Sequence, residues 1–317
     1  MSVSPSTPAP DARRDFAVAA RLAAPTAALM FELIVLGSIV RTTGSGLSCP
    51  DWPLCHGQLI PPMQFNVLLE WLHRLVALIV GLGLVATAVW VALRPATRAR
   101  LGGLAALCVV FYLSQALLGA LTVWKLLDPE VVSGHLAMAL LLFATLLTLG
   151  LVAHHESRPP AAPGARPAGL LPLMAVSTVA IWLQAVLGGM VSTNHASLVC
   201  PDWPTCNGEW FPPFEGLIAL QMSHRWGAYL LLALLAVLFQ RTRTADDPVV
   251  RRVGTALLAF VLVQAGVGVL NLALGIPVWV SAVHLGNAAI MLAIALTGTF
   301  RLAVRPAAVA VGTEVRA

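Results

Sequence analysis

Charged side chains are scarce in this chain, and their scarcity excludes most classes of protein. Only 10% of the 317 residues are charged, whereas 58% are hydrophobic. A soluble domain of this size could not bury so much apolar surface. No run of residues shows the alternation of polar and apolar side chains that marks a half-buried strand. The composition therefore predicts an all-α protein that spans a membrane several times.

Apolar stretches long enough to cross a bilayer recur along the sequence. They predict eight transmembrane helices, at residues 22–40, 65–93, 101–123, 131–152, 170–191, 217–239, 253–274 and 278–300. The first stretch is longer than the apolar region of a signal peptide. It also has a partner 151 residues later, in the fifth stretch, so we count it as a span.

The net charge of +5 is explained by topology, not by nucleic-acid binding. Nearly all arginines fall on one side of an eight-span arrangement, and the positive-inside rule makes that side cytoplasmic. Both termini are then cytoplasmic, and the two cysteine-containing loops are extracytoplasmic. We expect a multi-pass protein of the cell membrane that contacts the lipid bilayer and no nucleic acid.

Two loops are near copies of each other, CPDWPLC at 49–55 and CPDWPTC at 200–206, and a His-Arg pair follows each at the same distance. The constant offset of 151 residues indicates one duplicated unit. Each half crosses the membrane an even number of times, so the two four-helix bundles have parallel topology. The predicted divisions are a disordered cytoplasmic N-terminus (1–21), an N-terminal half (22–153), a cytoplasmic linker (154–169), a C-terminal half (170–302) and a cytoplasmic tail (303–317).

Cysteines are few, and four of the five lie in the outward loops, where disulfides persist. Cys49 and Cys55 are six residues apart with two prolines between them, and Cys200 and Cys206 repeat this spacing. Each short loop could therefore close on itself. The fifth, Cys108, lies in the third span and is predicted to be an inert buried thiol.

Four histidines lie in the even-numbered spans at duplicated positions: His73, His135, His224 and His284. One such histidine is best explained by a hydrogen bond between helices, but four at matched positions are not. Paired imidazoles in a helix bundle can ligate haem iron from both sides. No thiolate or carboxylate cluster at comparable depth indicates a zinc or di-iron site. We predict two haems, one held by His73 with His135 and one by His224 with His284.

Arg74 and Arg225 directly follow two of these histidines. Each can extend to the membrane interface or bind a haem propionate, and the two roles are compatible. Three Gln-x-x-x-Gly segments, at 115–119, 184–188 and 264–268, are predicted to let helices approach closely. Their glutamines could bond between helices or reach a ligand.

The first half is ionisable at three positions where the second is neutral: Glu32 against Leu183, Arg41 against Ser192, and Glu70 against Gln221. Glu70 precedes His73 by three residues, so the two share a helix face. A carboxylate beside a haem ligand can relay protons, whereas a glutamine suits a haem that only carries electrons. The difference predicts chemistry in the first half and electron transfer in the second. It assigns no role to Glu32.

These features resemble the haem A synthase family, membrane enzymes that oxidise haem O to haem A for terminal oxidases. The resemblance covers residues 22–300 and includes Glu-x-x-His-Arg at 70–74, the later histidines and both cysteine pairs. It implies that a porphyrin methyl group is hydroxylated twice and then loses water to become a formyl group. It also implies an eight-helix bundle whose second half holds haem b and whose first half receives haem O.

By this resemblance Glu70 is catalytic, His73 and His135 bind the substrate haem, and His224 and His284 bind haem b. The pairs Cys49–Cys55 and Cys200–Cys206 would be disulfides; for the first, a functional role and loop stapling both stay open. The implied partners are haem O and an electron donor that the sequence does not identify, with haem O synthase or oxidase assembly factors as further candidates.

Two other functions are compatible with four membrane histidines. One is a di-haem, b-type, quinol-linked electron-transfer cytochrome, and the other is a haem carrier without chemistry. Neither gives a reason for the difference between Glu70 and Gln221 or for the duplicated cysteine loops.

Overall fold

The computed structural model of the protein describes residues 10–62, 64–159 and 166–305. Within these residues the chain forms eight α-helices, and the only other helical element is a 3₁₀ turn at Ala196–Leu198. The helices are α1 (Pro10–Thr42), α2 (Phe65–Leu93), α3 (Pro95–Trp124), α4 (Pro129–Glu156), α5 (Leu170–Thr193), α6 (Gly216–Thr242), α7 (Pro248–Ala273) and α8 (Val278–Ala303). The predicted all-α class is confirmed.

Each of these helices is long and apolar enough to cross a membrane, with lengths from 24 to 33 residues. A spanning helix needs about 20 apolar residues. The eight predicted spans are therefore confirmed, and the protein is a multi-pass membrane protein. Large apolar side chains such as Leu82, Leu113 and Leu230 are exposed on the outer faces of the helices, as expected where lipid replaces water.

The first helix begins much earlier than predicted. Residues 10–21 were expected to be disordered, but they form the first three turns of α1. Phe16 and Ala19 are buried in the main core. Trp90 donates its indole N–H to the carbonyl of Asp15 at 3.0 Å, and Arg94 lies 3.8 Å from the Asp15 carboxylate. These contacts with α2 stabilise a segment whose composition alone suggested disorder; residues 1–9 lie outside the described part.

The linker between α4 and α5 is shorter than the predicted 154–169. Helix α4 continues through His154 and His155 to Glu156, whose carboxylate lies 2.9 Å from Arg100 of α3. Within the linker, 160–165 are outside the described residues, as is the predicted tail from residue 306 onward.

Helix contacts fall into two sets joined by a central seam. In the first set α1 and α3 each contact α2 and α4, and in the second α5 and α7 each contact α6 and α8. The seam consists of the contacts of α1 with α8, α4 with α5, and α4 with α8. One apolar core cluster takes buried residues from all eight helices. Helices α1, α4 and α8 are the most deeply buried of the eight.

Candidate functional site

The predicted histidines lie at matching heights in their helices. His73 and His224 each follow the first residue of α2 and α6 by eight residues. His135 and His284 each follow the first residue of α4 and α8 by six. Because an α-helix rises 1.5 Å per residue, all four lie roughly 9–12 Å from the N-terminal end of their helix. The two halves of the sequence repeat therefore place their histidines at the same distances from the helix ends.

All four histidines line one continuous cavity of about 1170 Å³, to which every helix contributes. A site for one drug-sized ligand measures about 300–1,000 Å³, so this cavity is larger than one such ligand needs. Most of its lining is apolar. Glu70 and its counterpart Gln221 also line it.

In the second set of helices two imidazoles approach each other directly. The ring centroids of His224 and His284 are 6.5 Å apart, and the ring planes are inclined by 70°. Gln184 of α5 places its amide nitrogen 3.0 Å from Nδ1 of His224 and donates to the His224 carbonyl at 2.8 Å. These contacts fix the ring from the side of Nδ1.

A glycine of the preceding helix lies against every one of these imidazoles. A Cβ added at Gly188 would lie 2.9 Å from Cε1 of His224, and the three other glycines give 3.1–3.2 Å to their histidines. The pairs are Gly37 with His73, Gly119 with His135, Gly188 with His224, and Gly268 with His284. The glycines repeat at offsets of 151 and 149 residues, as the histidines do. Three of these glycines are the last residues of the Gln-x-x-x-Gly segments. The close helix approach predicted for those segments therefore occurs where the glycines contact the histidines.

The glutamines of those segments contact the same neighbours. The side chain of Gln115 lies 3.3 Å from Nε2 of His135, and Gln264 donates to the carbonyl of His284 at 3.1 Å. A glutamine four residues before a glycine lies on the same helix face. In each segment, therefore, the glutamine makes a polar contact with one histidine of the next helix, and the glycine leaves space for the imidazole of that histidine.

Each cysteine loop is closed by a disulfide and braced by its aspartate. The carboxylate of Asp51 accepts hydrogen bonds from the backbone N–H groups of His56 and Gly57 at 2.6 and 2.8 Å. The N–H of Gly57 contributes most to holding the pKa of Asp51 below its usual value. In the second loop the Thr205 hydroxyl, together with backbone N–H groups, lowers the pKa of Asp202 to about 2. What these carboxylates add to loop stability is present at neutral pH and is lost only as pH falls towards the lowered pKa values.

Arg74 and Arg225 fasten these loops to α2 and α6. Each guanidinium donates to three backbone carbonyls of its own loop. The acceptors are Cys49, Asp51 and Leu54 in the first loop, and Cys200, Asp202 and Thr205 in the second. The predicted contact of either arginine with a propionate stays a prediction, since the loops already take up most of the donors.

Glu70 is held by the same fastening. The backbone N–H of Cys49 donates to Oε2 of Glu70 at 2.9 Å, and Nη2 of Arg74 donates to Oε1 at 2.6 Å. Gln221 instead donates to the carbonyl of Ser197 at 3.3 Å. Glu70 and Gln221 therefore differ in their hydrogen-bond partners as well as in charge. Among the described residues, only the first half has a loop cysteine whose N–H donates to an acid in the cavity wall.

The hydrogen bonds from Arg74 and Arg225 to their loops predict that replacing either arginine will lower the stability of the protein. Replacing Arg74 or Arg225 with glutamine removes hydrogen bonds from a charged donor, each worth about 1.5–3 kcal/mol. Both variants should unfold at a lower temperature than the wild type in the same detergent. The Arg74 variant should lose more, because it also loses its bond to Glu70. Equal unfolding temperatures for both variants and the wild type would contradict the role as fastenings.

Both predicted disulfides, Cys49–Cys55 and Cys200–Cys206, are present. Cys108 is a buried free thiol, also as predicted. Three further ionisable residues of the helices do not line the cavity. Glu32 is exposed on α1, and His154 and His155 are exposed at the end of α4.

Two lining residues were not singled out as site residues. Tyr112 of α3 lies against Gly81 and donates its hydroxyl to the carbonyl of Ala77 at 3.3 Å. A single tyrosine in an apolar span gives no pattern that could reveal it. Arg41, at the end of α1, lines the cavity and donates to the carbonyl of Ser192 at 3.2 Å. Its difference from Ser192 was the only signal in the sequence.

Comparison with known proteins agrees with this arrangement. Residues 20–296 match the family model COX15-CtaA, described as cytochrome oxidase assembly protein. The chain is 34% identical over 259 residues to the heme A synthase of Symbiobacterium thermophilum, an alignment that covers 77% of this chain and 82% of the relative. With the heme A synthase of Shouchella clausii it shares 35% identity over 228 residues, covering 69% and 74%.

A longer alignment, 29% identical over 308 residues, joins it to the heme A synthase of Shewanella oneidensis and covers 83% of this chain and 91% of the relative. The family model alone spans well over half of the sequence, and it includes Glu70 and all four cavity histidines. The chain therefore belongs to the COX15-CtaA family of heme A synthases.

Proposed function

We propose that this protein is a haem A synthase that oxidises a methyl group of haem O to a formyl group in its first half. The observation that carries the proposal is the pair of equivalent positions in the cavity wall. Glu70 offers a carboxylate tied to Cys49 and Arg74, and Gln221 offers only a neutral amide. A positioned acid is needed to move protons during oxidation, and an electron-carrying site does not need one.

The residues of the cavity fit haem. The amide nitrogen of Gln184 lies 3.0 Å from Nδ1 of His224, and Nε2 of that ring has no hydrogen-bond partner among the described residues, so it is available to a metal. His224 and His284, with ring centroids 6.5 Å apart, would hold the iron of a haem from two sides. An apolar cavity with imidazoles on facing helices is the setting in which bundles hold haem.

In this proposal the chain consists of two duplicated four-helix halves of parallel topology, 22–153 and 170–302. His73 and His135 bind the substrate haem O, and His224 and His284 bind the resident haem b. Haem b supplies electrons to the reaction in the first half. The seam between α1, α4, α5 and α8 lets both sites share one cavity.

The chain's own groups orient the acid and shield it. Arg74 and the N–H of Cys49 fix the two carboxylate oxygens of Glu70, so the side chain cannot swing away from the cavity. The Cys49–Cys55 disulfide keeps that N–H in place, because it closes the loop from which the bond is made. Glu70 is buried, so a proton that it accepts or donates is exchanged inside the cavity.

The topology also follows from the charges. We infer that the protein spans a cell membrane, with both termini on the cytoplasmic side and the two cysteine loops on the extracytoplasmic side. Extracytoplasmic loops are where disulfides such as Cys200–Cys206 persist. The arginine-rich helix ends then lie in the cytoplasm, as the positive-inside rule requires.

The contact between glycine and histidine gives a test of the second haem site. Gly188→Ala would place a Cβ 2.9 Å from Cε1 of His224, so the ring must move. We expect a changed optical spectrum and less haem b. Gly266→Ala is the control, because nothing lies within 4 Å of its added Cβ, and alanine is the better helix former. An unchanged spectrum in the Gly188 variant would count against His224 as a ligand.

The function itself is tested by haem analysis. The protein is expressed with haem O supplied, and extracted haems are separated and identified by mass. Haem A or its hydroxylated precursor is the expected product. Unchanged haem O with rapid quinol oxidation would identify an electron-transfer cytochrome instead. Unchanged haem O without quinol oxidation would identify a carrier.

A further inference from the structure

Arg41 is a cation in the cavity wall that the proposed reaction has not used. It lies in the last turn of α1, is partly buried and lines the cavity. Its only side-chain hydrogen bond within the described residues is from Nη1 to the carbonyl of Ser192, at 3.2 Å. That bond leaves four of its five N–H donors free.

The other cationic groups of the cavity wall have partners. The two other arginines that line it, Arg74 and Arg225, donate to their loops. Arg41 forms no ion pair with any described residue. Glu70, the carboxylate in the lining, is already held by Arg74 and Cys49. A partly buried arginine that lines an apolar cavity without an anionic partner among the described residues is costly, so its position points to an anion supplied by a ligand.

The register of α1 places Arg41 beside the substrate site. Gly37, four residues earlier and so on the same face, lies against the imidazole of His73. Four residues of an α-helix rise roughly 6 Å, so the backbone of Arg41 lies about one turn beyond that of Gly37, in the direction of the cysteine loops. A planar ligand held at His73 would present its outward edge at this height.

The second half has no such group. Gly188 lies against His224 as Gly37 lies against His73, but four residues later the chain has Ser192. The carbonyl of Ser192 is the acceptor for Arg41 itself. The positive charge thus belongs to the first half, as the acid Glu70 does.

We propose that Arg41 forms a carboxylate subsite for the haem bound in the first half, and that it binds one propionate by charge-assisted hydrogen bonds. A guanidinium matches the geometry of a carboxylate and binds it in a bidentate manner. The subsite rests on the proposed function, since it needs a haem at His73. It gives a reason for the free cation and selects the orientation in which the propionates face the cysteine loops.

The test compares haem b with its dimethyl ester, in which both carboxylates are neutral. Each is titrated optically into the purified full chain that already carries its second-half haem. Wild-type protein should bind haem b more tightly than the ester. Arg41→Gln should weaken binding of haem b about tenfold to a hundredfold and leave binding of the ester unchanged. Arg41→Lys, which keeps the charge but loses the bidentate geometry, should retain only part of the preference for haem b.

A combined His73→Ala and His135→Ala variant identifies which signal belongs to the first half. If wild-type binding does not depend on these histidines, the proposed substrate site is wrong, and the subsite with it. If binding depends on them but Arg41→Gln weakens both probes equally, or weakens neither, the site stands and the carboxylate subsite is overturned. Equal affinity of the wild type for haem b and the ester would overturn it as well.

Discussion

Replacing Glu70 with glutamine should abolish the formation of haem A while leaving the second-half haem in place. The substitution gives the first half the side chain that the second half already has at position 221. The bond from Cys49 N–H to the side-chain oxygen can persist, but the amide nitrogen cannot accept the hydrogen bond that Arg74 donates to Glu70, so the variant loses that contact together with the acid. General acid–base groups contribute about 10²–10⁴-fold to a rate, and we expect product to fall by at least the lower figure.

The control variant replaces Gln221, which is the residue of the second half that corresponds to Glu70. Gln221→Ala removes a hydrogen bond to Ser197 but no acid, so it should lower activity little. Haem products are measured by mass, and the optical spectrum reports the second-half haem. Substantial haem A from the Glu70 variant would contradict its catalytic role. A spectrum lost together with activity would contradict the division of labour between the halves.

Removing either histidine of the second half should remove haem b. His224 and His284 lie with their ring centroids 6.5 Å apart, and in the proposed site each is one of the two ligands of haem b. Loss of one ligand leaves an apolar gap and one imidazole, and we expect haem content to fall by most of its value in His224→Ala and in His284→Ala. The fall should be accompanied by a loss of haem A, since the first half then lacks its electron supply.

His154→Ala is the matched control, because His154 is exposed at the end of α4 and does not line the cavity. It should retain both haem content and activity. Haem content is measured per protein after extraction. If His224→Ala and His284→Ala both kept the wild-type content and spectrum, the second site would be wrong.

The sequence was most informative where a repeat could be compared with itself. The offsets of 151 and 149 residues identified the matched histidines, and the first also identified the difference between Glu70 and Gln221; the structure places all of these residues in one cavity. Helix count followed from hydropathy, because a bilayer imposes a minimum apolar length.

Other features depend on contacts that no local pattern encodes. Arg74 was expected at an interface or on a propionate, but its partners are loop carbonyls 20 and 23 residues earlier in the chain. Such pairings depend on how the loop folds back over α2. The early start of α1 depends likewise on Trp90 and Arg94 of a different segment. Tyr112 became visible only when helix packing placed it in the cavity wall.

The central claim is that two pairs of imidazoles hold two porphyrins in a common cavity, with an acid beside only one of them. An electron cryomicroscopy map of the purified protein, saturated with haem O, tests it most directly. We predict one porphyrin between His73 and His135 near Glu70, and a second between His224 and His284. A map with a single porphyrin, or with these rings turned towards the lipid, would contradict the account.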